Sequence, residues 1–251
     1  EATYFEVLTA LAYLHFSDEN VDYAIMEIGL GGEWDAVNIG DSKIAILTTL
    51  GFDHTDYLGN TLEKIAITKA KIVRRNTIVI TGWKKKYLKH IPKSKKIIHG
   101  DSIKEWIELC VKCLNLDIKP IISSIPGRME IHCNFTMDNA HNTQAITYLL
   151  KKKDKYQKII LGMLSDKDIE AFVTKLPKKA TILACELNSE RSVETEQIAN
   201  ICTKLGIECE QFKSVKEAIL SVENQETLIT GSFYTVSEAR KHFKLEGYSE
   251  L

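Results

Sequence analysis

Residues 158–186, KIILGMLSDKDIEAFVTKLPKKATILACE, read as a strand, a helix and a second strand. Lys158–Gly162 and Ala180–Glu186 are short apolar runs bounded by polar residues. Between them, Asp168–Lys175 reads as a helix. The same alternation continues outward. Further strands are expected at Glu208–Phe212 and Thr227–Thr230, and helices at Thr143–Lys151, Glu194–Leu205, Val215–Val222 and Val236–His242. Strands alternating with helices imply crossover units, hence a parallel sheet covered on both faces.

Upstream the pattern is less regular. TYFEVLTALAYLHF sets Phe5, Leu8, Leu11, Ala12 and Leu14 on one helical stripe. DYAIMEI (22–28) reads as a buried strand and KIAILTTL (43–50) as another. Thr61–Ala70 reads as a helix with Ile65 and Ala66 inward, and Thr77–Thr81 as a short strand. Lys84–Lys96 reads as basic and irregular, and Ser102–Leu114 as helical. PIISSIP (120–126) is an extended connector with proline at both ends. A boundary near Ser123–Pro126 therefore divides an α/β chain into a first domain, 1–123, and a second, 124–251.

Hydrophobic residues make up 44% of the 251 and charged residues 27%, the composition of an ordinary globular protein. No apolar run approaches the roughly 18 residues that span a bilayer, and no secretory signal opens the chain. The first residue is Glu1 rather than Met, which leads to the expectation of a fragment. A net charge of −1 points to neither nucleic acid nor a membrane surface. The six cysteines are scattered, with a single CxxC at Cys110 and Cys113 inside a helix-like run. They read as reduced thiols of a cytoplasmic protein rather than zinc ligands.

The 22–28 run leads into Gly29, Leu30, Gly31 and Gly32. This is not the dinucleotide fingerprint, which needs GxGxxG opening a helix; about ten residues separate the turn from the next strand. An ordinary tight loop is one reading, and a sharp turn beside a ligand the other. Glu27 stands at the C-terminal end of the first run, and Asp53 and His54 follow the end of the second. Ligands gather outside such strand ends in open α/β sheets. A carboxylate oxygen and an imidazole nitrogen together suit Mg²⁺ or Mn²⁺.

TYFEVLTALAYLHF, MEIGLGGEWDAVN, TTLGFDHTDYLGNTLEKIAITKAKI, PGRME, MDNAHN, LGMLSDKD and TGSFYTVSEAR, in that order, resemble the folylpolyglutamate synthase and dihydrofolate synthase branch of the Mur ligase superfamily. About Val73 to Ile125 is unmatched. The resemblance implies a P-loop-type ATPase domain followed by a smaller Rossmann-like domain. It also implies a reaction in which ATP phosphorylates a folate or pteroate carboxylate and the amino group of L-glutamate attacks the acyl phosphate. Glu27 and His54 match Mg²⁺ ligands, and Lys69 matches a lysine that is carbamylated and helps hold a second Mg²⁺. Arg128 matches the arginine that reaches ATP phosphates, and Asp138 and His141 match residues lining the nucleotide and active-site region. Lys167, Asp168 and Ser232 are expected at strand ends facing the same place, and Asn142 is expected to cap the following helix. A cytoplasmic monomer that binds neither nucleic acid nor membrane is the corresponding expectation.

The departures are as specific as the matches. No GxxxxGK[ST] occurs in the chain, so the ATPase domain is expected to be incomplete and this chain alone inactive. Glu33 and Trp34 replace an arginine and an apolar residue, Lys71 replaces a glycine, and Thr143 replaces a proline. The alternatives are a non-catalytic homologue that keeps the fold, a cell-wall Mur ligase and, least favoured, a dinucleotide-dependent oxidoreductase. The basic run Lys84–Lys96, KKKYLKHIPKSKK, admits three readings: a solvated loop, a nucleic-acid patch with one interleaved Tyr, or an attractor of anionic polyglutamate tails.

Overall fold

A computed structural model describes residues 2–121 and 123–246, so the connector Pro120–Pro126 is described except at its third residue. The chain divides into two compact units, Glu1–Ile122 and Ser123–Leu251. No helix among the described residues is long and apolar enough to cross a membrane.

The first unit opens with α1 (Tyr4–Asp18), started by a capping box in which the Thr3 side chain and the Glu6 backbone and carboxylate satisfy each other. After a 3-10 turn, Ala36–Ile39, come β1 (Ile44–Leu47), α2 (Thr55–Leu58), α3 (Leu62–Ala70) and β2 (Ile78–Thr81). A second 3-10 turn, Lys85–His90, leads to β3 (Lys96–His99) and α4 (Ile103–Cys113). The strands form a parallel sheet in the order β1-β2-β3. Ala45, Leu47 and Val79 pack with Ala66 and Ala70 of α3 and with Trp83, Tyr87 and Ile91.

Two expectations for this unit are corrected. Residues 22–28 form no strand: the segment makes no ladder among the described residues, and Ile25 is 93% exposed. Apolar composition favours burial, but a strand also needs a neighbour to take its N–H and C=O groups. The helix α1 forms as expected, and its stripe is largely exposed, with Leu11 56% and Leu14 60% exposed. Lys84–Lys96 is more ordered than its composition implies, holding a 3-10 turn and the start of β3.

The second unit contains β4 (Glu130–His132), β5 (Phe135–Met137), α5 (Thr143–Lys152), β6 (Lys158–Leu161), α6 (Ile169–Val173) and β7 (Thr181–Cys185). It continues with α7 (Thr195–Leu205), β8 (Cys209–Phe212), α8 (Val215–Leu220), β9 (Thr227–Thr230) and α9 (Phe233–His242). The sheet order is β4-β5-β9-β6-β7-β8, parallel except at β4. Alternate residues feed two cores. Ile159 and Leu161 join Ile146, Phe172 and Ile198 on one face, while Ile160 joins Leu183, Ile229 and Val236 on the other. Both faces are therefore covered, as the alternation of elements predicts. The β4–β5 hairpin is an addition, turned through Cys133 at φ 53° rather than through glycine. Buried Arg240 of α9 ties this edge down by pairing with Glu130 and donating to the Glu246 carbonyl.

Candidate functional site

In the first unit, the candidate residues lie on the segment after β1, on α3 and on the 22–28 segment. His54 follows β1, adopts a left-handed backbone at φ 49° and starts α2. Asp53 Oδ1 accepts from the His54 N–H at 3.0 Å and lies 3.9 Å from His54 Nε2. Lys69, in the last turn of α3, is partly buried, and that desolvation lowers its ammonium pKa, with the Asp53 charge opposing the shift. Asp53, named with His54 at the strand end, thus belongs with His54 and Lys69. Glu27 lies in the unpaired 22–28 segment and is exposed. No group of three or more His, Cys, Asp or Glu side chains able to hold a metal occurs among the described residues.

The glycine turn is built against α3. Asp35 accepts from the Leu30 N–H at 2.7 Å and the Val37 N–H at 2.9 Å, and Asn38 donates to the Gly32 carbonyl at 2.8 Å. Gly31 has φ +69° and Gly32 φ +151°, and a Cβ on Gly32 would stand 3.0 Å from the Thr68 carbonyl oxygen. Glycine is required here by backbone conformation and by the approach to the turn carrying Lys69. Two departures noted in the sequence prove to be one interaction: Lys71 Nζ lies 3.3 Å from Glu33 Oε1. The reversed charge at 33 thus has its partner at 71.

In the second unit, Asp138 follows β5, Ser232 follows β9, and the 162–168 loop follows β6. These are three adjacent parallel strands, so their carboxyl ends lie along one edge. The loops are stitched together: Gly231 N–H and Thr230 Oγ1 donate to the Ala140 carbonyl, and Thr235 Oγ1 donates to that of Gly162. Asp138 is buried, and its two oxygens accept from the Met129 N–H at 2.9 Å and the Ala140 N–H at 3.0 Å. Burial raises its carboxyl pKa, while those two N–H groups, Arg128 and Lys152 pull the other way. The Asp138–Met129 bond also clamps the turn bearing Arg128, whose side chain is exposed.

His141 Nδ1 donates to the Asn139 carbonyl at 2.9 Å, which orients its ring. Asn142 caps α5 by accepting from the Ala145 N–H at 2.8 Å, as expected. Asp168 and Ser232 prove to be caps as well. Asp168 accepts from the Ala171 N–H at 2.9 Å, and the buried Ser232 hydroxyl accepts from the Thr235 N–H at 3.1 Å. Lys167 is largely covered and lies 3.3 Å from Asp166. Asn139, 7% exposed beside Gly127, completes this edge and was missed, because only the loop packing distinguishes it from a solvated amide.

Comparison with known proteins follows the division of the chain. The Mur ligase middle domain family matches residues 1–104, and the Mur ligase glutamate ligase domain family matches residues 127–232. A dihydrofolate synthase/folylpolyglutamate synthase of Buchnera aphidicola subsp. Schizaphis graminum is 28% identical over 94% of this chain and 70% of its own length. One from Haemophilus influenzae is 49% identical over 32% of this chain and 18% of its own. Among solved structures, E. coli FolC in complex with ADP superposes with a TM-score of 0.85 at 25% identity, covering 97% of this chain and 72% of that one. The Yersinia pestis bifunctional enzyme complexed with AMPPNP and Mn ion has the same fold, with a TM-score of 0.80 at 24% identity, over 98% and 72%.

Proposed function

The chain belongs to the Mur ligase family, and on that premise we propose that it is the larger part of an ATP-dependent ligase. The reaction joins L-glutamate to tetrahydrofolate, to dihydropteroate, or to both. The observation that carries this reading is the alignment with a dihydrofolate synthase/folylpolyglutamate synthase across 94% of the chain. A cytoplasmic monomer and two Mg²⁺ sites complete the proposal.

A carboxylate does not react with an amine until one of its oxygens becomes a leaving group. ATP supplies the phosphoryl group, the acyl phosphate forms, and glutamate nitrogen displaces phosphate. The protein's task is to hold two anions together and offset their charge. Arg128 is proposed to reach the ATP phosphates, since an exposed guanidinium offers paired donors to phosphate oxygens. Asp138 and His141 are proposed as the groups lining the nucleotide and acyl-transfer region, with Ser232 on the same strand edge. Asp138 does this through position, by fixing the Arg128 turn. Glu27 and His54 would hold one divalent ion, their oxygen and nitrogen donors fitting Mg²⁺ or Mn²⁺. Bound there, the ion would neutralise charge on the phosphates. Burial lowers the Lys69 pKa and so favours the neutral amine that carbamylation needs; carbamylated, it would be a carboxylate donor at a second ion.

The proposed chemistry also needs a phosphate loop, which these 251 residues do not contain. The test therefore measures ADP release with Mg²⁺ and glutamate, offering tetrahydrofolate and dihydropteroate separately. The 251-residue chain is run beside a version extended at its N-terminus by the phosphate-loop segment of a relative. Turnover by the extended chain alone names the acceptor. A folded extended chain that turns over neither acceptor removes the ligase reading in favour of a non-catalytic homologue.

A further inference from the structure

The basic segment 84–96 has a built conformation that the ligase reading does not use. Trp83, Tyr87 and Ile91 recur every fourth residue and are buried in the core of the first unit. The seven lysines between them and after them are all exposed. Hydrogen bonds hold the segment along its length: Trp83 N–H to Thr81 Oγ1, Tyr87 N–H to the Lys84 carbonyl, Ile91 N–H to that of Leu88, and Lys95 N–H to that of Thr77. The result is a row of cations on an anchored scaffold.

Its charge is local and largely unopposed. No Asp or Glu occurs between Glu63 and Asp101. None of the seven lysines is in a salt bridge among the described residues. A chain of net charge −1 therefore carries a concentrated positive field here. The segment leaves the carboxyl end of β2, the strand paired with β1, whose own carboxyl end leads to Asp53 and His54. The row thus starts on the same sheet edge as those residues.

We propose that this row binds the poly-γ-glutamate tail of a folate, a flexible chain with one free carboxylate per residue; this rests on the ligase reading given above. Two observations favour it over nucleic acid. The interleaved Tyr87 and the preceding Trp83 are buried and offer no face for base stacking. The cations are all lysine, point charges suited to mobile single carboxylates, with no arginine fork for phosphate. Holding the tail would favour acceptors that already carry several glutamates.

The test is fluorescence anisotropy of a labelled γ-linked hexaglutamate, without pteridine or ATP, on the 251-residue chain. Binding is expected, weakening steeply between about 50 and 200 mM salt. The triple variant Lys84→Gln, Lys85→Gln, Lys86→Gln should weaken it about tenfold, as expected for losing three exposed charge contacts. The control variant Lys178→Gln, Lys179→Gln should leave it unchanged. Absence of binding, an equal loss in the control, or tighter binding of an oligothymidylate of equal charge would each overturn the proposal. The ligase reading stands or falls separately, on ADP release by the extended chain with a monoglutamate acceptor. In that assay the triple variant should raise KM for a triglutamate acceptor and leave that for the monoglutamate unchanged.

Discussion

Glu33 and Lys71 stand 38 positions apart in the sequence, and each departs from the family pattern; only the fold makes them partners. Both are substantially exposed, so a double-mutant cycle with Glu33→Ala and Lys71→Ala should give a coupling of about 0.5 kcal/mol, vanishing near 1 M salt. Lys69, two residues earlier, is the position proposed to carry function. Lys69→Ala in the extended chain should abolish ADP release, and short-chain carboxylic acids should restore part of it; a fully active alanine variant would remove Lys69 from the site. Asp138 makes a prediction about stability. Its folded pKa is raised, so the native state holds that proton more tightly than the unfolded chain does. The stabilisation it gives is fully present below the unfolded carboxylate pKa and is lost as pH rises through the raised value. Urea midpoints of Asp138→Asn and wild type, compared down through this acid window, should show wild type gaining on the variant. Asp53, His54 and Lys69 are legible from motif and position, whereas Asn139 emerges only from what surrounds it.

Among the elements, α1 and α5 show how far amphipathic spacing predicts burial. Both were expected as helices and both are, but α5 buries Ile146 and Leu149 whereas α1 leaves Leu11 and Leu14 outside. Leu11→Ala should therefore cost under about 0.5 kcal/mol, and Ile146→Ala about 3 kcal/mol from lost burial and an unfilled cavity. Guanidinium denaturation of the two variants checks the contrast, and similar losses at both would mean that α1 is packed in solution. The β4–β5 hairpin went unread because its turn, Cys133 and Asn134, lacks the glycine that marks such turns. Residues 22–28 were misread for the opposite reason, since local composition announces a strand and says nothing of who pairs with it.

At the scale of the molecule, the two units differ in their cores. The second has a six-stranded sheet with apolar clusters on both faces, the first a three-stranded sheet with a smaller cluster. Hydrogen exchange followed by mass spectrometry should find β6, β7 and β9 the last to exchange, and β1 to β3 earlier. Thermolysin, which cuts before bulky apolar residues, should nick the chain first near Ile118, Ile121 or Ile125, which are 59%, 92% and 57% exposed. Slower exchange in the first unit would reverse this ranking of the cores.

The order of elements in the second unit, the caps and the polar strand ends all follow from the chain's own alphabet. Their signals are local: hydrophobic period, turn residues, and carboxylates or hydroxyls just before helices. The pairing of Glu33 with Lys71, the unpaired 22–28 segment and the anchored row of lysines belong to the tertiary structure. Each depends on which distant groups come to lie within a few ångströms, and periodicity along one chain carries no record of that.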